Sequence, residues 1–316
     1  MKNKKILIVI LGILVVIVLF LIGLVLILNT ENKDLDDAAR DDAPGEFVLL
    51  SAGWVHYQMD GPPDSPLVVF VHGFSVPSYI WDPTCQALVN EGYQVLSFDL
   101  YGRGYSDRPE RVYDINLFYV QLKELLDKLE INSPVHLVGL SMGGPIVARY
   151  GYTHPDLVSS ITLVAPEVVQ TPNNDIFPMN LNGVGEYLMR AVMEPVVLPK
   201  LQSGDFYQPD KFPGWIDLYR VQLQYHGTGR ALLSTIRQLV KLNPEMEYQE
   251  LSQTKLPVLL IWGSKDQTIS EEHIQVLREL LPEMEVLIVE RAGHIPHYER
   301  PEIVNPLLID FLSTIP

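Results

Sequence analysis

The sequence predicts an α/β fold in which a mostly parallel sheet is flanked by helices. Short apolar runs rich in β-branched residues alternate with segments of helical periodicity, and this alternation is typical of parallel sheets. The run at 67–71, Leu-Val-Val-Phe-Val, has no polar face, as expected of a strand buried on both sides. A chain of 316 residues is long enough for one large domain that carries an insertion.

The strands can be located by their apolar runs. The first two strands are expected to form a hairpin, and the later strands are expected to form the parallel part of the sheet. The predicted strands are 46–50, 54–59, 67–71, 93–100, 135–140, 161–165, 256–262 and 285–290. Apolar spacing predicts helices at 78–91, 115–129, 270–281 and 302–312.

The alternation stops between residues 167 and 252. This stretch has no good strand pattern and is rich in proline, asparagine and aromatic residues, with helices predicted at 183–193 and 213–226. We interpret 167–252 as a mostly helical cap inserted after the sixth strand. The core is then formed by 46–166 and 253–316.

Residues 1–30 predict a transmembrane signal anchor. Lysines at 2, 4 and 5 precede an uninterrupted apolar run, Ile6 to Leu28, which is long enough to cross roughly 30 Å of hydrocarbon. A cleaved signal peptide would have a shorter apolar region and an Ala-x-Ala site, which the sequence lacks. The lysines favour a cytoplasmic N-terminus and a single-pass protein with its catalytic domain outside. The acidic segment 31–45 is expected to be a solvated linker.

Composition excludes several classes of function. The net charge is −16 and no basic stripe is present, so nucleic acid is not an expected partner. Cys85 is the only cysteine, which rules out an intrachain disulfide. No Cys/His spacing suggests a metal site, and we expect neither a metal nor a cofactor.

The chemistry is centred on Gly139-Leu140-Ser141-Met142-Gly143, between a predicted strand and a predicted helix. A Gly-x-Ser-x-Gly turn in this setting is typical of a nucleophilic serine held at the carboxyl edge of a sheet. The turn is tight enough to require glycine at 139 and 143. The following helix directs its positive end at the serine.

A serine nucleophile needs a base, and the base needs an orienting acid. His294 and Asp266 follow the last two strands, so both are expected at the same edge as Ser141. Two alternatives remain open. Glu167, after the sixth strand, is a second candidate for the acid, and His297 is a second candidate for the base.

Together these segments resemble the α/β-hydrolase superfamily, in particular the group that includes monoacylglycerol lipases, carboxylesterases, epoxide hydrolases, haloalkane dehalogenases and C–C bond hydrolases. The resemblance covers roughly 46–314. The matching motifs are His72-Gly73-Phe74, Asp99 to Pro109, Gly139 to Gly143, Trp262 to Asp266, and Gly293-His294 with Glu299-Arg300-Pro301.

The resemblance implies a catalytic triad of Ser141, His294 and Asp266, in the chain order of this superfamily. It implies an oxyanion hole formed by the backbone N–H groups of Phe74 and Met142. Dehalogenases and epoxide hydrolases have aspartate at the position of Ser141, so those two activities are not expected. Asp99, Arg103 and Asp107 belong to an architectural loop.

The expected function is hydrolysis of a carboxylic ester or related acyl substrate through an acyl-enzyme, as in carboxylesterases and lipases. The expected partners are a small-molecule ester and the membrane. Alternatives within the fold are a C–C bond hydrolase, an amidase or aminopeptidase, and a lipase acting at the bilayer. The alternative from another class is a non-catalytic ligand-binding or signalling protein.

Overall fold

The computed structural model describes residues 2–170, 172 and 176–315, and its centre is an eight-stranded sheet. Met1, Thr171, 173–175 and Pro316, which belong to the predicted anchor, cap and C-terminal core, lie outside the described residues. The strands are β1 (Glu46–Leu50), β2 (Gly53–Asp60), β3 (Leu67–Val71), β4 (Gln94–Phe98), β5 (Val135–Leu140), β6 (Val158–Val164), β7 (Val258–Gly263) and β8 (Glu285–Val289).

The strand order is β1-β2-β4-β3-β5-β6-β7-β8, and only the pairings of β2 are antiparallel. The prediction of a mostly parallel sheet is therefore confirmed. Strands β3, β5 and β7 are buried at every position, which explains their unbroken apolar runs. Strand β4 ends at Phe98, two residues earlier than predicted, because the backbone N–H of Leu100 turns away to bond His72.

Helices surround the sheet and fill the insertion. In chain order, the α-helices are α1 (Lys2–Leu28), α2 (Asp37–Asp41), α3 (Asp82–Asn90), α4 (Ile115–Lys128), α5 (Gly143–Thr153), α6 (Val184–Leu188), α7 (Leu198–Gly204), α8 (Trp215–Leu223), α9 (Thr228–Leu239), α10 (Pro244–Leu251), α11 (Glu271–Leu280), α12 (Pro296–Glu299) and α13 (Pro301–Ser313). A π-helix, Met189–Val197, joins α6 to α7, and short 3-10 helices cover Ser78–Trp81, Pro155–Leu157 and Pro209–Lys211.

The segment between β6 and β7 is helical, as expected, but its helices differ in detail from the prediction. The predicted helix at 183–193 is instead α6 followed by the π-helix, and α7, α9 and α10 were not predicted. Helices α7 and α10 have only seven and eight residues and begin next to proline, so they have little apolar periodicity to detect. Helix α9 is longer and has a clear apolar face, and sequence reasoning missed it. Side chains attach these helices to the core: Arg103 donates to Thr235 Oγ1 at 2.9 Å, and Arg149 Nε donates to Glu247 Oε2 at 3.0 Å.

Most residues of the segment 31–45 are exposed, but its first residues pack on the cap. The backbone N–H of Lys33 bonds the carbonyl of Gln224 at 2.8 Å. Glu31 is only 4% exposed, and its carboxylate accepts the N–H groups of Gly227 at 3.1 Å and Gly229 at 2.8 Å. Gly227 has no side chain to cap helix α9, and Glu31 fills that role from a distant part of the chain.

Helix α1 is long and apolar. An 18-residue window within residues 4–28 has a mean hydropathy of 3.6, and no residue of that window is buried against the rest of the protein. At about 1.5 Å per residue it is long enough to cross a bilayer. Its length and composition make it a candidate membrane span, which is consistent with an anchor and equally with a signal peptide.

Glu194, on the π-helix, is a fully buried carboxyl beside Glu31 and against the backbone of Gly229. Burial raises its pKa to about 8, the charge of Glu31 adds to this, and Arg190 opposes it. Glu194 is therefore protonated at neutral pH. An acid with a raised pKa in the folded state holds a proton that the unfolded chain releases, so its contribution to stability falls as pH rises from about 4.5 to 8.

We predict that Glu194→Gln stabilises the protein at pH 8 but not at pH 5, because the amide resembles the protonated acid and cannot ionise. The gain at pH 8 relative to pH 5 should be roughly 2–4 kcal/mol. Urea unfolding of a chain that begins at Asn29 measures it at both pH values.

The matched control is Glu250→Gln, which changes an exposed carboxyl of the same cap and should have no such pH dependence. Glu31, Arg190 and Tyr219 also interact electrostatically with Glu194 and remain unchanged in both variants. An equal effect of Glu194→Gln at pH 5 and pH 8 would contradict the assignment of a neutral carboxyl.

Candidate functional site

Ser141 sits in the turn between β5 and α5, with a left-handed φ of 51°. A non-glycine residue rarely adopts this conformation, and here the surrounding backbone imposes it. A Cβ on Gly139 would lie 2.5 Å from the carbonyl oxygen of Gly143, and a Cβ on Gly143 would collide with the carbonyl of Val71. The serine backbone is fixed further by its N–H, which donates to the carbonyl of Val164 at 2.9 Å.

His294 and Asp266 form a buried pair at the ends of β8 and β7. Asp266 Oδ2 lies 2.9 Å from His294 Nδ1, and its side chain is fully buried. Its Oδ1 accepts the backbone N–H groups of Thr268 at 2.8 Å and Ile269 at 3.0 Å. A carboxylate can only accept a hydrogen bond, so Nδ1 must donate. In the neutral ring the hydrogen is therefore on Nδ1, and Nε2 is the basic nitrogen.

The charge around His294 favours the imidazolium. Burial lowers the pKa of His294, but the carboxylate of Asp266 raises it by charge and by hydrogen bond, and Asp205 and Glu167 add to this. The net result is a pKa of about 9. The pocket is therefore built to stabilise a positive charge on this ring.

Ser141, His294 and Phe74 line one cavity of about 400 Å³. Asp266 lies behind His294 and is not part of the cavity wall. Met142 follows Ser141 at the start of α5, with a buried side chain. The first N–H groups of a helix have no partner within it, so this end of α5 presents donors and a positive dipole to Ser141.

The loop that carries Phe74 is held from both sides. The backbone N–H of Leu100 donates to His72 Nε2 at 2.9 Å, which leaves Nδ1–H to donate to the carbonyl of Gly73 at 2.9 Å. Burial lowers the pKa of His72 to about 4, so the ring is neutral. Arg103, also buried, donates from Nε to the carbonyl of Phe74 at 2.7 Å. A Cβ on Gly73 would lie 3.2 Å from Ser141 Cβ, so this loop runs directly beside the serine.

The two alternative residues occupy different positions. The ring of His297 lies 4.2 Å from that of Trp81, and burial lowers its pKa to about 3, which suits a neutral packing residue. Glu167 donates its backbone N–H to the carbonyl of Ser141 at 3.0 Å, and its charge raises the pKa of His294 less than the charges of Asp266 and Asp205 do. The nitrogen of His294 that an orienting acid would hold is bonded to Asp266.

The carboxylates of the architectural loop, Asp99 and Asp107, are hydrogen-bonded to nearby groups of the protein. Asp99 accepts the N–H and the hydroxyl of Ser78, both at 2.8 Å, the N–H of Tyr105 at 2.8 Å, and a bond from His56 at 2.8 Å. Asp107 accepts the N–H of Trp54 at 2.8 Å. These carboxylates lie outside the wall of the Ser141 cavity.

Sequence reasoning missed the contribution of the cap. Glu299 accepts three backbone N–H groups, from Gly293 at 2.7 Å, Tyr207 at 3.0 Å and Gln208 at 2.8 Å. The N–H of His294 donates to the carbonyl of Asp205 at 2.7 Å. Glu299 was part of a recognised motif without a role, whereas no pattern in the sequence pointed to Asp205. In the described part of the chain, no group of three or more His, Cys, Asp or Glu residues could hold a metal ion.

The comparisons with known proteins agree with the geometry. The family model described as alpha/beta hydrolase fold matches residues 66–301. The chain is 28% identical to Lipase 3 of Moraxella sp. over 87% of this chain and 86% of the lipase. It is 25% identical to human monoacylglycerol lipase ABHD6, over 80% and 77% of the two chains. The enol-lactonase of Burkholderia xenovorans superposes with a TM-score of 0.74 at 20% identity, over 85% of this chain and all of the lactonase.

We predict that His294 titrates well above 6.5, near about 9, in a histidine-ring NMR titration, with assignment by His294→Gln. Asp266→Asn should lower this pKa strongly, because Asp266 is the largest of the influences that raise it, and Glu167→Gln should lower it much less. A wild-type value at or below 6.5, or a larger shift in the Glu167 variant, would contradict the pairing described.

Proposed function

We propose that this chain, which belongs to the alpha/beta hydrolase fold family, is a serine hydrolase that cleaves a carboxylic ester through an acyl-enzyme. The observation that carries the proposal is one cavity lined by Ser141, at its left-handed turn, and by His294, whose Nδ1 is bonded to the buried Asp266. Relatives named as lipases favour an ester as the substrate.

In the proposed reaction, Ser141 Oγ attacks the ester carbonyl carbon and its proton passes to Nε2 of His294. This step needs the neutral ring, so the reactive fraction of the enzyme should rise as the pH approaches the pKa of His294, about 9. Asp266 keeps the ring in the required tautomer and stabilises the imidazolium. The tetrahedral intermediate collapses, the C–O bond to the alcohol breaks, and the alcohol oxygen takes the proton from His294. A water molecule then attacks the acyl-enzyme with the same assistance, which releases the carboxylic acid and restores Ser141.

The negative charge on the carbonyl oxygen would be stabilised by the backbone N–H groups of Phe74 and Met142. Such preorganised donors typically contribute several kcal/mol to catalysis. The bonds that His72 and Arg103 make to the Phe74 loop support this role, since donors need a fixed position to act in the transition state. The dipole of α5 acts in the same direction.

We also propose that α1 anchors the enzyme in a membrane, with the catalytic domain outside the cytoplasm. The length and mean hydropathy of residues 4–28 support an anchor, and the lysines at its start support the orientation. The packing of Glu31 on α9 would hold the cap close to the end of this helix.

We predict that Ser141→Ala abolishes hydrolysis of p-nitrophenyl esters, with a loss of about 10⁴-fold or more, because no other group supplies the nucleophile. The purified wild type should also be labelled by a fluorophosphonate probe, and the variant should not. Ser313→Ala, at an exposed serine, is the matched control and should react like the wild type. A folded Ser141→Ala protein that keeps more than a few per cent of the activity would remove Ser141 from the mechanism.

For the anchor, we predict that external protease removes a C-terminal tag from intact cells that make the full-length chain. The cells themselves should retain an N-terminal fragment. Protection of the tag until the membrane is broken would reverse the orientation. A mature N-terminus beyond Asn29 would instead identify α1 as a cleaved signal peptide.

A further inference from the structure

The loop that carries the N–H of Phe74 is held by three side chains, which bond the three consecutive carbonyls of residues 73–75. His72 Nδ1 donates to the first carbonyl at 2.9 Å and Arg103 Nε donates to the second at 2.7 Å. Gln222 Nε2 donates to the third at 2.7 Å. His72 and Arg103 belong to the core, whereas Gln222 lies on α8 of the cap. The cap therefore supplies one of the three bonds that hold this loop.

These bonds control the direction of the Phe74 N–H because a peptide unit is planar. The carbonyl of Gly73 and the N–H of Phe74 belong to the same unit, so the bond from His72 sets the plane of this N–H. Arg103 and Gln222 fix the next two units along the chain, which prevents the loop from rotating away from Ser141.

Both polar atoms of the Gln222 side chain are used, and the residue is only 3% exposed. While Nε2 donates to Ser75, Oε1 accepts the backbone N–H of Gly104 at 3.2 Å. Gly104 directly follows Arg103, whose side chain bonds the carbonyl of Phe74. One amide group therefore connects the Phe74 loop with the loop that supports it, and a side chain that only accepts, or does neither, cannot replace it.

We propose that Gln222 is a positioning residue for the oxyanion hole, so that the packing of α8 sets the rate of the chemical step. The inference rests on the proposed function, in which the N–H of Phe74 stabilises the negative oxygen of the tetrahedral intermediate. Gln222 is not among the described residues that line the Ser141 cavity, so it acts through the loop and not by touching the substrate. Because the negative oxygen forms only after the ester has bound, loss of this bond should lower kcat and leave KM nearly unchanged.

The test uses the full-length enzyme in detergent and Gln222→Met, which keeps the size of the side chain and removes both hydrogen bonds. The kcat for a p-nitrophenyl ester should fall about 10–100-fold, somewhat less than when an oxyanion donor is removed outright, while KM should change by less than about threefold. The kcat is expressed per site that a fluorophosphonate labels at completion, so that inactive protein does not contribute.

A second measurement reports on the oxyanion hole itself. An alkyl trifluoromethyl ketone forms a tetrahedral adduct with Ser141 that places a negative oxygen where the intermediate has one. Its dissociation constant should rise in Gln222→Met by about the same factor by which kcat falls, as expected of a transition-state analogue.

Gln222→Glu separates the two bonds and provides a second variant should Gln222→Met fail to fold. It has nearly the same size and keeps an acceptor for Gly104, but it loses the donor to Ser75, so we expect the same loss of kcat. The matched control is Arg149→Met, which removes a different bond between core and cap, from Arg149 Nε to Glu247 at 3.0 Å. The control should unfold at a lower urea concentration and keep the kcat of the wild type.

An unchanged kcat in the Gln222 variants, or a higher KM with an unchanged kcat, would overturn the proposal. An equal loss of kcat in Arg149→Met would also overturn it, because any loosening of the cap would then have the same effect. Failure of both Gln222 variants to fold would make the residue a purely structural one, against the proposal. If the wild type neither cleaves the ester nor reacts with a fluorophosphonate, the proposed function itself has failed.

Discussion

The candidate site depends on a lack of space at the carboxyl edge of the sheet. Gly139 and Gly143 allow the turn to close so tightly that Ser141 is forced into a left-handed conformation. Gly263, at the end of β7, lies so close to Gly293 that a Cβ there would strike its carbonyl oxygen. This second contact brings the loops of Asp266 and His294 together. Backbone strain of this kind persists only where the surrounding structure determines it, and here close glycine contacts determine both halves of the site.

A buried carboxylate stabilises the loop on the other side of Ser141. Burial would disfavour an ionised Asp99, but the charge and hydrogen bonds of its neighbours, His56 first, hold the pKa of Asp99 well below its usual range. Its bonds to Ser78 and Tyr105 shape the loop from which Arg103 reaches the carbonyl of Phe74. A buried charge is tolerated when hydrogen bonds satisfy it. This network therefore fixes the position of the loop that contains the backbone N–H of Phe74, which is the proposed oxyanion donor.

The sequence allowed the core of the fold and the position of the Ser141, Asp266 and His294 loops to be predicted, and the reason is physical. Strands buried on both faces have unbroken apolar runs, and the carboxyl ends of parallel strands meet at one edge, so residues that follow such runs lie near each other. In the part of the chain that the structure describes, the cap and the segment after α1 contain no strands, so this relation between sequence pattern and position does not apply to them. Glu31 contacts Gly229, which is 198 residues away, and Asp205 reaches His294 through a backbone bond and through its charge. Contacts of this kind leave no local period in the sequence.

A buried carboxylate links the loop of His294 to the cap. Glu299 holds the backbone of Gly293, just before His294, and also the backbone of Tyr207 and Gln208, just after Asp205. Because one buried carboxylate satisfies donors from both segments, neither can shift without leaving N–H groups unpaired, at a cost of about 1–3 kcal/mol each. His294, the proposed base, and the cap residues nearest to it are therefore held as one rigid unit. Fixed positioning of reacting groups is among the larger contributions to enzymatic rate, so in the proposed reaction this rigidity would hold the ring of His294 in place for proton transfer.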